Sequence, residues 1–272
     1  GLRNLLDSPR YQEMSKVVLC MSTQPGEGKT VTSCSLAASC AQSGQRTLLV
    51  DFDMRRPRLA RIFEKKQGEF NSLPHTLAKA DPSLFASLAV PSGVENLDVV
   101  LSKASSEISP ANLMGSGIIV EFFTWARQNY DRVVIDSPPF GIVGDVMTLA
   151  SLVDSVMIMC CPDRTRFQPI KHAARTLTES GARVIGVIVN DVDFGRRNHF
   201  SQYDYHYRYA YRYTSRYGAY GQGKKRTGTA GSEAGKPSLA AAASKPVYGD
   251  DLAPSSQTQR QDHIDLSMTD DE

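Results

Sequence analysis

The sequence predicts an α/β fold in which a mostly parallel sheet is flanked by helices, followed by a disordered C-terminal tail. Three observations carry that prediction. Short apolar runs alternate with longer helical patterns up to about residue 195, as in strand–helix–strand crossovers. A glycine-rich stretch, STQPGEGKT (22–30), sits between the first such run and the first helical pattern. From Gly221 onward the only sizeable apolar side chains are Leu239, Val247, Tyr248, Leu252, Ile264, Leu266 and Met268. That stretch buries too little surface to offset the entropy of ordering it.

The elements follow in order. KVVLCMS (16–22) reads as a buried strand and TLLVDFD (47–53) as a second. NLDVVL (96–101), DRVVIDS (131–137), DSVMIMC (154–160) and ARVIGVIVN (182–190) supply four more, each short and rich in β-branched residues. KTVTSCSLAASCAQSG (29–44) reads as a helix ending at a glycine C-cap. SPANLMGSGIIVEFFTWARQN (109–129) reads as one helix opened by Ser-Pro, and FQPIKHAARTLTESG (167–181) as a third crossover helix. The polar, turn-rich stretch 66–95 is assigned no element, and strand order does not follow from these patterns. The expected organisation is one domain over 1–195, a tyrosine-rich segment over 196–220 and a low-complexity tail over 221–272.

The chain has 272 residues, is 41% hydrophobic and carries a formal net charge of +2, so overall charge names no partner. Its distribution is uneven. Arg196, Arg197, Arg208, Arg212, Arg216, Lys224, Lys225 and Arg226 make the segment after the domain basic, and the stretch from Asp250 to Glu272 is acidic. Cys20, Cys34, Cys40, Cys160 and Cys161 show no metal-ligand spacing and are expected to be buried free thiols in a reducing cytoplasm. No signal peptide and no apolar run long enough to span a bilayer is present, so this fragment is expected to be soluble. Work at a membrane would need something outside it.

The chemistry concentrates at strand ends. In STQPGEGKT the glycines let backbone N–H groups wrap around phosphate, and the helix that follows adds its positive end. Against the pattern G-x-x-x-x-G-K-[ST], Gly28, Lys29 and Thr30 match, while Thr23 stands where the first glycine belongs. A lysine opening an otherwise apolar helix has no evident structural task. LLVDFDMRRP puts Asp51 and Asp53 at the end of the second strand, and VVIDSPP puts Asp136 at the end of the fourth, the usual site of a carboxylate that orients Mg²⁺. Ligands of such sheets bind at the carboxyl ends of the strands. The reading is a P-loop nucleotide-hydrolase type of fold.

STQPGEGKT, LLVDFDMRRP and VVIDSPP, followed by VIVNDVD and a tyrosine cluster, resemble the bacterial tyrosine kinases (BY-kinases), the cytoplasmic domains of capsule and exopolysaccharide co-polymerases. The resemblance runs from about Leu2 to Tyr220. Each motif alone also occurs in partition and division-site ATPases, but those carry a second lysine at the position of Gln24. SPANLMGS (109–116) resembles the segment before the kinases' long helix. The opening GLRNLL resembles their E-x-x-R-x-x-R oligomerisation motif with only the last arginine, Arg3, remaining. A shortened chain, or one half of a longer membrane protein, is therefore expected, with the ring belonging to the intact protein.

The resemblance implies a protein-tyrosine kinase that transfers the γ-phosphate of ATP, with Mg²⁺, to its own C-terminal tyrosines and possible further proteins, regulating polysaccharide polymerisation and export. It implies that Gly26, Glu27, Gly28, Lys29, Thr30 and Val31 hold the phosphates. Thr30, Asp53 and Asp136 serve the metal, and Asp51 is the candidate base, with the roles of Asp51 and Asp53 interchangeable. Arg55 contacts phosphate or a neighbouring subunit, its alternative being a surface ion pair, and Asn190 reads the adenine edge. Implied partners are a membrane activator segment (fused upstream or separate), a protein-tyrosine phosphatase and further copies in a ring at the cytoplasmic face of the inner membrane. Nucleic acid is not among them. The competing reading is an ATPase switch that positions a partner without kinase activity.

QYDYHYRYAYRYTSRYGAY (202–220) holds eight tyrosines: Tyr203, Tyr205, Tyr207, Tyr209, Tyr211, Tyr213, Tyr217 and Tyr220. Their two-residue spacing suits an edge strand, and their interleaved arginines suit a stacking platform for single-stranded nucleic acid. A kinase reading of the domain makes them phosphoacceptors. Graded phosphorylation would then turn a mildly basic segment acidic and loosen a ring.

Overall fold

Val17, Leu19 and Met21 lie on one face of the first strand and Val18 and Cys20 on the other, all of them fully buried. A strand apolar on both faces belongs inside a parallel sheet covered by helices on both sides. The computed structural model bears this out and describes residues 1–65, 68–140, 145–162 and 164–192. All of these fall in one compact unit, Gly1–Gln202, and a second unit, Tyr203–Glu272, lies outside the described residues, as do the eight tyrosines.

The described strands are β1 (Val17–Ser22), β2 (Thr47–Asp51), β3 (Ala89–Pro91), β4 (Leu97–Val100), β5 (Arg132–Asp136), β6 (Ser155–Cys160) and β7 (Val184–Val189). The described helices are α1 (Leu2–Leu6), α2 (Lys29–Gln42), α3 (Leu59–Ile62), α4 (Leu73–Leu77), α5 (Pro110–Met114), α6 (Ile118–Asn129), α7 (Asp145–Leu152) and α8 (Phe167–Glu179), with 3-10 turns over Gln12–Met14 and Pro82–Leu88. The strands run in the order β3-β4-β2-β5-β1-β6-β7. Every neighbouring pair is parallel except the β3–β4 hairpin at one edge.

Strand β1 stands inside the sheet, with β5 on one side and β6 on the other. The chain moves outward through β2 to β4, returns to insert β5 between β2 and β1, and continues to β6 and β7. The loop after β1 therefore opens where the strand order reverses, the place where such sheets bind ligands. Helices α5 to α8 cover one face, where Phe122 and Phe123 of α6 pack on Phe52. Phe52 stacks on Phe123 with centroids 5.6 Å apart, and Phe85 meets Phe122 edge-on at the same distance. On the other face, Cys34, Leu36, Ala37, Cys40 and Ala41 of α2 bury against Val18, Leu49 and Val134. Each large side chain so buried contributes about 1.5–3 kcal/mol before entropy is counted.

Three expectations are corrected. The stretch 109–129 is two helices, because Gly115, Ser116 and Gly117 break it. Two glycines cost a helix roughly 1 kcal/mol each, and Ser116 Oγ donates to the Leu113 carbonyl at 2.6 Å to end the first piece. Strand β2 stops at Asp51 rather than Asp53, because the Asp51 carboxylate draws the following backbone into a turn. The stretch 66–95, assigned no element, carries α4, the second 3-10 turn and β3. Helix α2 ends as expected, with Gly44 at φ +90° just beyond its cap at Ser43. All five cysteines are free and buried. Among the described residues no helix is long and apolar enough to cross a membrane.

Candidate active site

The loop joining β1 to α2 is shaped by two glycines in left-handed conformations, Gly26 at φ +85° and Gly28 at φ +82°. Gly28 is the N-cap of α2. A Cβ on it would collide with Asn190 Nδ2, so glycine is required there twice over, by backbone angle and by space. Asn190 follows β7, donates its N–H to the Cys160 carbonyl at 2.8 Å, and lays its side-chain amide against the loop, donating to the Glu27 carbonyl at 3.3 Å.

Lys29 opens α2 with its ammonium turned inward. Lys29 Nζ lies 3.4 Å from Asp136 Oδ1, and the two side chains are only 9% and 2% exposed. Ser33, one turn along α2, is bonded to the Lys29 carbonyl at 2.9 Å and brings its hydroxyl within 3.4 Å of the same Asp136 oxygen. Burial pushes the Asp136 carboxyl above the usual carboxylate range, opposed by the Lys29 ammonium and by its hydrogen bond.

Asp51 faces Asp136 in register across the β2–β5 pair. Its carboxylate is completely buried and accepts from the N–H groups of Arg58 and Leu59, each at 3.0 Å, and of Asp53 at 3.2 Å. Burial, reinforced by the negative charge of Asp136, pushes Asp51 up to about 8. Asp53 is half-buried, accepts from the Arg56 N–H at 3.0 Å and adds its charge to the fields at both Asp51 and Asp136. Beside Lys29 this edge carries the carboxyl groups of Asp51, Asp53 and Asp136, hard oxygen donors of the kind a divalent cation takes. Among the described residues no three His, Cys, Asp or Glu side chains gather into a metal cage, so any cation here would draw on further ligands.

The structure brings together Gly26, Glu27, Gly28, Lys29, Thr30, Asp51, Asp136 and Asn190. It turns others elsewhere. Arg55 Nε lies 3.5 Å from Asp145 Oδ2 at the start of α7, an ion pair in which Asp145 is nearly buried. Val31, on the first turn of α2, is largely exposed. The Glu27 side chain points into the loop itself, accepting from the N–H groups of Thr23 at 2.8 Å and Gln24 at 2.9 Å and from the Thr165 hydroxyl. Ser33 and Thr165 are the site residues that sequence reading did not single out. Only Ser33, four residues after Lys29, carried a local signal. Two open hollows, of about 600 Å³ beside Arg46, Asp98, Trp125 and Tyr130 and about 340 Å³ beside Asp154 and Arg183, lie away from this loop.

Comparison with known proteins gives this geometry its setting. A family model described as an AAA domain matches residues 15–183. The putative tyrosine-protein kinase CapB of Staphylococcus aureus is 27% identical over 209 residues, covering 76% of this chain and 87% of that one. The tyrosine-protein kinase CpsD of Streptococcus pneumoniae serotype 4 is 30% identical over 178 residues, covering 65% and 77%. The crystal structure of the VpsO kinase domain superposes with a TM-score of 0.64 at 33% identity, covering 71% of this chain and 91% of that one. With a P-loop lysine, two acidic strand ends and relatives of this kind over most of their length, the chain belongs to the bacterial tyrosine kinases.

Proposed function

We propose that this chain is an ATP- and Mg²⁺-dependent protein-tyrosine kinase that phosphorylates its own tyrosines between Tyr203 and Tyr220. The observation that carries this reading is the buried Lys29–Asp136 pair beside a loop shaped by two left-handed glycines, Gly26 and Gly28. Lys29 would neutralise the β- and γ-phosphates, and the backbone from Gly26 through Val31 would hold them. Mg²⁺ would supply charge neutralisation at the phosphates; Thr30 and Asp136 are the residues that would hold it. Phosphoryl transfer otherwise asks the protein for positioning.

A tyrosine hydroxyl ordinarily keeps its proton until a pH of about 10, so it needs a base. Asp51 is buried and its oxygens are engaged by three backbone N–H groups, which supports giving it the task of shaping the loop. Asp53, half-buried two residues on, is the carboxylate we assign as base. The hydroxyl proton passes to Asp53 as the tyrosyl oxygen bonds to the γ-phosphorus and the bond to the β-phosphate oxygen breaks, releasing ADP. Asn190, against the loop, is assigned to the adenine side. Arg55, held in an ion pair by Asp145, is assigned to phosphate or a neighbouring copy. On the same reading the partners are a membrane activator segment, a protein-tyrosine phosphatase and further copies in a ring. The purpose would be control of polysaccharide export at the cytoplasmic membrane face.

Incubation of the purified chain with ATP and Mg²⁺, followed by mass spectrometry, tests this. Phosphotyrosine between residues 203 and 220 that disappears in Lys29→Met is the expected result. ATP hydrolysis without phosphotyrosine would replace the kinase by an ATPase switch, and phosphotyrosine persisting in the variant would remove Lys29 from the mechanism.

A further inference from the structure

Glu27 is only 2% exposed inside a loop whose chemistry calls for free N–H groups around an anion. Its carboxylate occupies two of those N–H groups, at Thr23 and Gln24, and approaches the Thr23 hydroxyl at 3.2 Å. A carboxylate so placed repels phosphate rather than binding it. Its use is therefore to the loop. Thr23 is also the position at which the sequence departs from the P-loop pattern, and Glu27 occupies both its N–H and its hydroxyl.

The remaining Glu27 partner comes from a different part of the sheet. Thr165 lies between β6 and α8, and its hydroxyl accepts from the Cys161 N–H at 2.9 Å while donating to Glu27 Oε1. The Thr165 N–H donates to the Cys161 carbonyl at 2.7 Å, closing the turn. One hydroxyl thus joins the turn after β6 to the loop after β1. Asn190 makes a parallel link from the end of β7 through the Glu27 carbonyl.

We propose that Thr165 is a positioning residue for the phosphate loop, acting through the Glu27 carboxylate to hold the loop in its phosphate-ready shape and to couple it to the β6–α8 turn. This rests on the nucleotide-binding half of the kinase reading and not on tyrosine transfer. Removing the hydroxyl leaves a buried carboxylate short of one donor and lets the Thr23–Glu27 segment sample other shapes, which lowers affinity for a polyphosphate.

The test compares the full chain with Thr165→Val, which keeps the shape, and Thr165→Ser, which keeps the hydroxyl. Hydrogen exchange of the nucleotide-free protein should rise at residues 23–27 in Thr165→Val, with the rest of the sheet and the melting temperature close to wild type. Calorimetric titration with ATP and Mg²⁺ should show roughly tenfold weaker binding, and Thr165→Ser should restore both readouts. Unchanged exchange and affinity in Thr165→Val, or failure of the serine to restore them, would overturn the proposal. So would a loss of protection spread over the whole chain with a lowered melting temperature, which marks a merely structural threonine. A wild-type chain that binds ATP yet forms no phosphotyrosine sinks the kinase reading and leaves this one standing; one that binds no ATP sinks both.

Discussion

The Lys29 ammonium and the Asp136 carboxylate lie 3.4 Å apart at the carboxyl end of β5, both almost wholly shielded from water. Removing one member of such a buried pair strands the other. Asp136→Asn and Lys29→Met are each expected to lower stability by about 3–5 kcal/mol in denaturant unfolding and to abolish phosphotransfer. The double variant removes both charges, so it should regain more than half of that stability while remaining inactive. Additive losses in the double variant would show that the two charges do not depend on one another.

Gly28 carries two constraints that can be separated. Gly28→Ala faces a left-handed backbone, at a cost of about 1–2 kcal/mol, and a collision of its Cβ with the Asn190 amide. Asn190→Ala in the same chain removes the collision but not the backbone strain. Thermal unfolding should therefore place the double variant between Gly28→Ala and wild type. A double variant no more stable than Gly28→Ala would mean that the loop moves away from Asn190 at little cost.

Six of the seven described strands were legible because β-branched apolar runs such as VVLCM and RVVID are too short for helices and too apolar for loops; β3, three residues long, carried no such run. Strand order was not, because inserting β5 between β2 and β1 depends on pairing across residues far apart in sequence, as in Asp51 opposite Asp136. The acidic strand ends were legible for the same reason as the loop lysine, since all three follow from where a parallel sheet keeps its ligands. Thr165 reaches the site from the β6–α8 turn, and nothing in its local sequence announces it. The helix break was written in Gly115 and Gly117, yet the apolar periodicity on either side reads through them.

Asp51 ties the end of β2 to the start of α3 through the Arg58 and Leu59 N–H groups. Asp51→Asn keeps one acceptor oxygen but places an amide where a backbone N–H donates. Hydrogen exchange at residues 53–59 should rise well above wild type in that variant. Asp53→Asn leaves those two contacts intact and should leave exchange at Arg58 and Leu59 unchanged while reducing phosphotransfer. Equal exchange in the two variants would remove the distinction drawn between the two carboxylates.

The buried thiols give the fold an alkaline limit. Burial pushes Cys20 and Cys34 up to about 12 and Cys40 up to about 11, from an ordinary value of 9.0. A raised folded value means that the unfolded chain releases its protons first as pH rises. The contribution of these thiols is therefore complete below about pH 9 and is lost as pH climbs toward 11 to 12, each at a slope of up to about 1.4 kcal/mol per pH unit. Tyr130, whose phenol is raised by burial and by its hydrogen bond to Asp98, acts in the same sense. Denaturation midpoints should already decline between pH 7 and 8.5, where buried Asp51, pushed up to about 8, gives up its proton in the folded state, and should fall more steeply above 9. Replacing Cys20 by Ala should make that fall shallower, whatever it does to stability at neutral pH. Because the thiolate is the species that reacts, iodoacetamide at pH 8 should label the native described domain slowly and all five cysteines rapidly after denaturation. Rapid native labelling of Cys20 would show that α2 lifts from the sheet far more readily than the full burial of that side chain beneath it implies.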